Sequence, residues 1–255
     1  MEICQNCQHE INLNYCPNCG QKKYKRIDAT YLKDEIQYTL LHTNKGFFYT
    51  LKKIISKPGQ TTKEYLDGNR VNHYKPLLLV FVLTGISTFI SYKVLNMGDV
   101  MTSFFEEAYK EAGNQTFSQN YTAFLYNYTT LIIMSFLPFF ALSSYLAFKK
   151  QGHNYFEHVI INSFFYVLYT IAIIFIISPI LYFIKDPQTY LLISFGATIL
   201  GYPLIIWFYK GLYPQLSIGQ LLGKTTLMAI YAIIIYLAVS IFSGIVVTIF
   251  KVILN

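Results

Sequence analysis

The 255-residue chain is 54% hydrophobic and 18% aromatic, and only 13% of its residues are charged, against roughly 25% in ordinary soluble domains. With a mean hydropathy of +0.38, this composition excludes a conventional water-soluble globule. The formal net charge of +7 is uneven: residues 1–76 hold twelve of the twenty Lys and Arg but seven of the thirteen Asp and Glu. A basic segment beside a membrane is suited to anionic headgroups, with nucleic acid as the other acidic partner class.

All four cysteines fall in the first nineteen residues, as Cys4-x-x-Cys7 and Cys16-x-x-Cys19. Each CxxC turn sets two thiolates on one side of a tight bend, and two facing turns supply the four soft ligands of a tetrahedral site. The expected cofactor is therefore one structural Zn2+ held by Cys4, Cys7, Cys16 and Cys19, in a ribbon spanning residues 1–21. Four thiolates leave no coordination position open for water, which argues against zinc catalysis. A thioredoxin-type redox pair needs a βαβ setting for which this segment is too short. Ile3, Ile11, Leu13 and Tyr15 are too few to form a core, so metal binding is expected to supply most of the folding energy. No Lys or Arg precedes Lys22, whereas Glu2 and Glu10 do, so nucleic acid is not an expected partner. Residues 1–30 carry no apolar signal-peptide core, and the N-terminus is expected to stay in a reducing cytoplasm.

Residues 22–76 read as a basic linker of cytoplasmic or interfacial helices. Lys22-Lys23-Tyr24-Lys25-Arg26 leaves the ribbon as a solvated charge run. Leu32, Ile36, Leu40 and Leu41 then recur at helical spacing from Asp28 to His42. From Lys45 to Lys57, Phe47, Phe48, Leu51, Ile54 and Ile55 alternate with lysines as a basic amphipathic helix. It is suited either to the headgroup plane or to packing on the ribbon and the first helix. Pro58-Gly59 reads as its end, with Thr61 or Thr62 capping a short successor from Lys63 to Asp67 and Gly68 stopping it. Arg70, His73 and Lys75 lie at the lip of the bilayer.

Residues 77–255 read as a five-span domain with segments 77–95, 123–148, 159–184, 191–209 and 225–250, each long enough to cross a bilayer. The first holds Lys93 near its end; the other four contain no Asp, Glu, Lys, Arg or His, so the buried relays of ion-coupled carriers are missing. Lys149, Lys150, Lys210 and Lys224 flank one set of loops, while Asp99, Glu106, Glu107 and Glu111 dominate the link after the first span. The fold class is thus an all-α polytopic membrane protein with an N-terminal Cys4 ribbon. Its expected location is the inner cell membrane, with the N-terminus cytoplasmic and the C-terminus outside. Met101, Phe104, Phe105, Ala108 and Ala112 mark an amphipathic helix in the outer link. Pro138, Pro179 and Pro203 interrupt spans two, three and four. Glu157 and His158 enter the third span beside His153, and with Arg70 and His73 they form a candidate interfacial site.

The residues Cys16-Pro17-Asn18-Cys19-Gly20-Gln21, Pro58-Gly59, Tyr65-Leu66-Asp67-Gly68-Asn69-Arg70 and Tyr74-Lys75-Pro76 resemble the DUF3667 family. Leu137-Pro138-Phe139-Phe140-Ala141-Leu142 and Tyr155-Phe156-Glu157-His158-Val159 are similar to a second block of it. The resemblance implies a bacterial membrane protein, found mainly in Bacteroidetes, with no assigned function. Family members place a further histidine about a turn and a half into the third span, where this chain has Asn162-Ser163-Phe164-Phe165. No motif of a hydrolase, P-loop or metalloprotease is present. The residues favour a non-enzymatic, membrane-anchored ribbon that recruits or senses a cytoplasmic protein, with the lipid bilayer as its other partner and a homo-oligomer left open. The alternative is a transporter or channel for a lipid-like or weakly polar solute through the proline-broken spans. A membrane enzyme using Glu157 and His158 is the third reading.

Overall fold

The computed structural model describes residues 2–4, 6–11, 13–20, 46–70, 72–110, 115–184 and 186–254. Side chains at 104–110, 115–123, 125, 126, 200 and 242–254 are not described. The expected helix over Asp28–His42 and the basic run at Lys22–Arg26 lie outside the described residues. The chain forms two compact units, Met1–Lys45 and Gly46–Asn255.

In the first unit, strands β1 (Glu2–Ile3) and β2 (Glu10–Ile11) pair antiparallel, with Glu2 opposite Ile11 and Ile3 opposite Glu10. Cys4, Ile11 and Cys16 are buried together with Cys7 against them. Leu13 is 80% exposed and Tyr15 57%, so among the described residues of this unit the buried apolar cluster is its cysteines and one isoleucine.

The second unit begins with two short helices, α1 (Gly46–Ser56) and α2 (Pro58–Leu66). The expected amphipathic helix is α1, whose Phe47, Thr50 and Ile54 are buried. The break expected at Pro58-Gly59 falls one residue earlier, at Lys57. Pro58 opens α2 rather than merely closing α1, since a proline at the first helical position loses no hydrogen bond. Thr61 and Thr62 are accordingly not caps. They lie inside α2, fully buried, and their hydroxyls donate to the carbonyls of Lys57 (2.8 Å) and Pro58 (3.0 Å). That back-bonding lets a polar face be buried without an unpaired hydroxyl. Gly68, at φ +106°, stops the helix as expected, with Asn69 N–H returning to the Glu64 carbonyl at 3.0 Å.

Among the described residues, five segments are long and apolar enough to cross a membrane: Pro76–Val94, Asn127–Gln151, Tyr155–Tyr182, Pro187–Leu212 and Ile218–Ile241. The all-α polytopic fold class is borne out. The helices themselves are α3 (Pro76–Phe89), α4 (Met97–Lys110), α5 (Gln115–Phe148), α6 (Tyr155–Ala172), α7 (Ser178–Tyr182), α8 (Pro187–Leu212) and α9 (Ile218–Leu254). At 34 residues, α5 is about 51 Å long and outreaches the bilayer core. Helix α9 starts seven residues before the expected Thr225 because Ser217 and Gln220 form a capping box. Gln220 N–H donates to Ser217 Oγ at 3.2 Å, and Ser217 N–H to Gln220 Oε1 at 2.9 Å.

Among the described residues the bundle has two apolar centres. The larger, at the end where span one begins, joins Phe47, Ile54 and Tyr74 to Leu79, Phe148, Ile161, Phe164, Phe208 and Tyr209. The smaller, at the other end, joins Leu95, Ile177, Leu181, Tyr190 and Ala197. Two wide π-helical turns, Ile90–Val94 and Ile173–Ile177, feed residues into it. The second turn precedes Pro179 and accommodates the ring that would otherwise strike the carbonyl four residues back. Pro138 and Pro203 remain inside continuous helices.

Candidate functional site

Two places concentrate chemistry, one in each unit. In the ribbon, the four cysteine sulfurs all lie within 4.8 Å of one another and none is in a disulfide. Cys4 Sγ is 3.6 Å from Cys19 Sγ, and Cys7 Sγ is 3.5 Å from Cys16 Sγ. A tetrahedron with metal–sulfur bonds of about 2.3 Å has edges of about 3.8 Å, so this donor set fits a metal ion. The backbone builds the cluster twice in the same way. The residue after each second cysteine turns left-handed, Gln8 at φ +58° and Gly20 at φ +72°, and each returns its N–H at 2.9 Å to the carbonyl of the knuckle's first cysteine, Cys4 or Cys16. Among the described residues, the four cysteines are the group of three or more side chains placed to hold a metal. His153, Glu157 and His158 do not gather in that manner.

The second place is the mouth where spans one and three begin and span four ends. Helices α1 and α2 are packed into it against α6 and α8. Gly59 lies against the backbone of α8: a Cβ there would sit 2.1 Å from the Phe208 carbonyl oxygen and 2.3 Å from Leu212 N. Gly46 is similarly tight, its hypothetical Cβ falling 2.9 Å from the Asn72 carbonyl oxygen and 3.0 Å from Tyr74 N.

His73 is buried in this seam. Its Nδ1 is 3.5 Å from Thr50 Oγ1, which also accepts the Tyr74 N–H at 2.8 Å. Its Nε2 is 3.7 Å from Glu64 Oε2, too long for a hydrogen bond, and the other Glu64 oxygen is 3.7 Å from Lys53 Nζ. Burial pulls the His73 imidazole below the usual histidine range, with Lys53 adding to the effect and Glu64 opposing it. Arg70 is exposed, stacked over the Tyr65 ring at 5.6 Å, and donates from Nε to the Tyr65 carbonyl at 3.3 Å.

His158 and Glu157 occupy different surroundings. Glu157 caps α6: its carboxylate accepts the Asn154 N–H at 2.7 Å, and Asn154 Oδ1 accepts the Glu157 N–H at 3.0 Å. His158 is fully buried rather than anchored among headgroups. Its Nδ1 is 2.9 Å from Ser144 Oγ, and Asn162 donates from Nδ2 to both Ser144 Oγ and the His158 carbonyl, each at 2.7 Å. Ser144 Oγ is also 3.0 Å from the Ala141 carbonyl, to which it donates. With that proton committed, Nδ1 of His158 is the donor to Ser144 and Nε2 is a bare lone pair. That Nε2 is buried with no hydrogen-bond partner.

An aromatic stack closes the same end. Phe148 lies parallel to Tyr209 at 4.3 Å, and Tyr213 continues the stack, its hydroxyl 3.1 Å from His153 Nδ1. Burial, and to a lesser degree the charge of Glu157, push the Tyr213 phenol upward. The loop lysines are structural here: Lys210 Nζ donates to the carbonyls of Pro214 and Leu216, and Lys224 Nζ to that of Ala147.

The four candidate interfacial residues therefore fall into two groups. Arg70 and His73 flank Tyr65, while Glu157 and His158 share the first turns of α6. Among the described residues, no hydrogen bond, ion pair or ring contact joins one group to the other. Sequence reasoning missed Thr50, Ser144 and Asn162, which supply the histidines' partners. An Asn four residues after His158 was the available signal.

Between α5 and α9 lies an open cleft of about 360 Å³, lined by Phe136, Phe139, Phe140, Ala232, Ile233, Tyr236 and Val239. It is apolar and lies beside Pro138. The Tyr- and Ser-lined cavity through spans two to four expected of a solute pathway is not what this cleft presents.

No curated protein and no solved structure matches the chain. Residues 44–88 match the family model described as Protein of unknown function (DUF3667). That stretch contains Gly46, Thr50, Lys53, Gly59, Glu64, His73 and Tyr74, so the matched segment is the helical pair packed into the mouth together with the start of span one. The match bears out the resemblance read from the sequence over residues 44–88.

Proposed function

We propose that this integral membrane protein is a non-enzymatic scaffold: a zinc ribbon carried on five spans, which recruits or senses a cytoplasmic protein. One observation carries the reading. The donor set is four sulfurs close enough for a closed tetrahedral site, while Leu13 and Tyr15 stand exposed on the ribbon around it. Bound zinc would hold the two knuckles together and supply folding energy; with all four positions taken by sulfur it would activate no water. Large exposed apolar side chains on a unit this small are suited to contact with a partner. The membrane-facing chemistry supports the same reading, because Glu157 is spent on a helix cap and His158 on a buried pair with Ser144. In the proposed orientation the N-terminus is cytoplasmic in the inner membrane, which keeps the thiolates reduced.

The test compares the full chain with Cys16→Ser/Cys19→Ser and with Leu13→Asp/Tyr15→Ser, all purified from membranes with bound protein identified by mass spectrometry. One zinc per chain, lost in the cysteine variant and kept in the surface variant, is expected, with a specific cytoplasmic protein lost from both. Retention of every bound protein by both variants overturns the recruitment reading, and a wild type without zinc overturns the metal assignment.

A further inference from the structure

We propose that the outer face of α1 is a lipid-binding surface selective for anionic phospholipid, an interaction independent of whatever the ribbon holds. Helix α1 has two apolar faces. Phe47, Thr50 and Ile54 are buried in the bundle, and these positions account for its packing against α2 and α6. The opposite side presents Phe48, 74% exposed, and Ile55, 52% exposed, with exposed Lys52 between them on the same stripe at i, i+4 and i+7. Two large exposed apolar residues bracketing a lysine are costly in water, and they fit the boundary between headgroups and acyl chains.

The position of α1 fixes the occupant. Gly46 abuts the backbone of residues 72–74, and Phe47 meets Tyr74 edge-to-face at 5.3 Å. Tyr74 lies two residues before Pro76, where span one starts. Helix α1 is thereby held at the depth where the first span enters the bilayer, a span whose Leu77 and Phe81 are exposed. The segment that carries this face is also basic. Residues 46–75 carry Lys52, Lys53, Lys57, Lys63, Arg70 and Lys75 against Glu64 and Asp67. Lys53 is occupied by Glu64, whereas Lys52, Lys57, Lys63, Arg70 and Lys75 are exposed. Basic residues at a bilayer surface attract anionic headgroups by about 1 kcal/mol each, a factor of roughly five.

Trp207 is the single tryptophan, so the full chain with Trp207→Phe and Phe48→Trp reports from this face alone. Reconstituted into nanodiscs, its emission is measured with trace brominated phosphatidylglycerol, trace brominated phosphatidylcholine, or aqueous acrylamide as quencher. Both lipids are expected to quench more than acrylamide, phosphatidylglycerol the more strongly, and adding Lys52→Gln should cut that preference about five-fold. A second reporter, Ile55→Trp in the same background, should behave alike. Quenching by acrylamide alone, or by no reagent, would mean that the face is in water or under protein, and would overturn the proposal. Equal quenching by the two lipids, unchanged by Lys52→Gln, would overturn the anionic selectivity.

Discussion

Gly59 and Gly211 meet backbone to backbone: a Cβ on Gly211 would lie 3.2 Å from the Gly59 Cα, and one on Gly59 would lie 2.5 Å from the Gly211 carbonyl carbon. Small residues let helices approach this closely where apolar side chains gain nothing over lipid. The two positions are not equivalent, since the Gly59 methyl would strike backbone atoms of three residues of α8, which cannot rotate away. Gly59→Ala should therefore detach α2 from span four and cost upwards of about 3 kcal/mol, whereas Gly211→Ala should cost about 1 kcal/mol. Thermal unfolding in detergent, followed by size-exclusion fluorescence, checks the order.

His73 gives the mouth a pH dependence whose sign follows from burial. Its folded-state pKa lies below the unfolded value near 6.5, so the unfolded chain binds the proton more readily. Stability is fully present above about pH 6.5 and falls as the pH drops toward the folded-state value, by at most about 1.4 kcal/mol per pH unit. Glu64→Gln removes the carboxylate that favours the protonated ring and should steepen the acid loss. His73→Gln should flatten it. Melting temperatures of the three proteins between pH 5 and 8 test both statements.

The spans were legible because a membrane segment needs only length and continuous apolarity, and the ribbon because cysteine spacing is itself the geometry. What surrounds the mouth was not. Pro58-Gly59 reads locally as a helix stop, and only the distant backbone of Phe208–Leu212 shows why a glycine stands there. Thr61 and Thr62 look like caps until α2 is seen to start at Pro58, which places them inside it. His158 sits at the membrane boundary in sequence, where histidines often anchor, but Ser144 on another span draws it inside. The glycine and the histidine answer to partners far along the chain, which no local pattern encodes. The Asn154–Glu157 helix start is of the converse kind, since its capping box lies within four residues.

The ribbon and the bundle should lose stability separately. Chelation, or Cys16→Ser/Cys19→Ser, should abolish metal binding and unfold residues 1–20 while the thermal transition of the bundle stays in place. Gln8 offers a milder probe, because its φ of +58° is a conformation that glycine adopts without strain. Gln8→Gly should tighten metal retention by about 1 kcal/mol, near five-fold, in a chelator competition.

Ser144, His158 and Asn162 form a network in which each member's loss exposes another. Removing the Ser144 hydroxyl leaves the His158 Nδ1–H and one Asn162 N–H unpaired in a dry interior. An unsatisfied buried donor costs about 1–3 kcal/mol, more than the hydrogen bond itself contributes. Ser144→Ala should thus destabilise the bundle by about 2 kcal/mol. Asn162→Leu removes a donor along with its need and should cost less. Once Asn162 is gone, Ser144→Ala strands only the imidazole, so the double variant should fall short of the sum by about 1 kcal/mol. Unfolding free energies of the four proteins close the cycle. Strict additivity would mean that the three side chains do not act as one network.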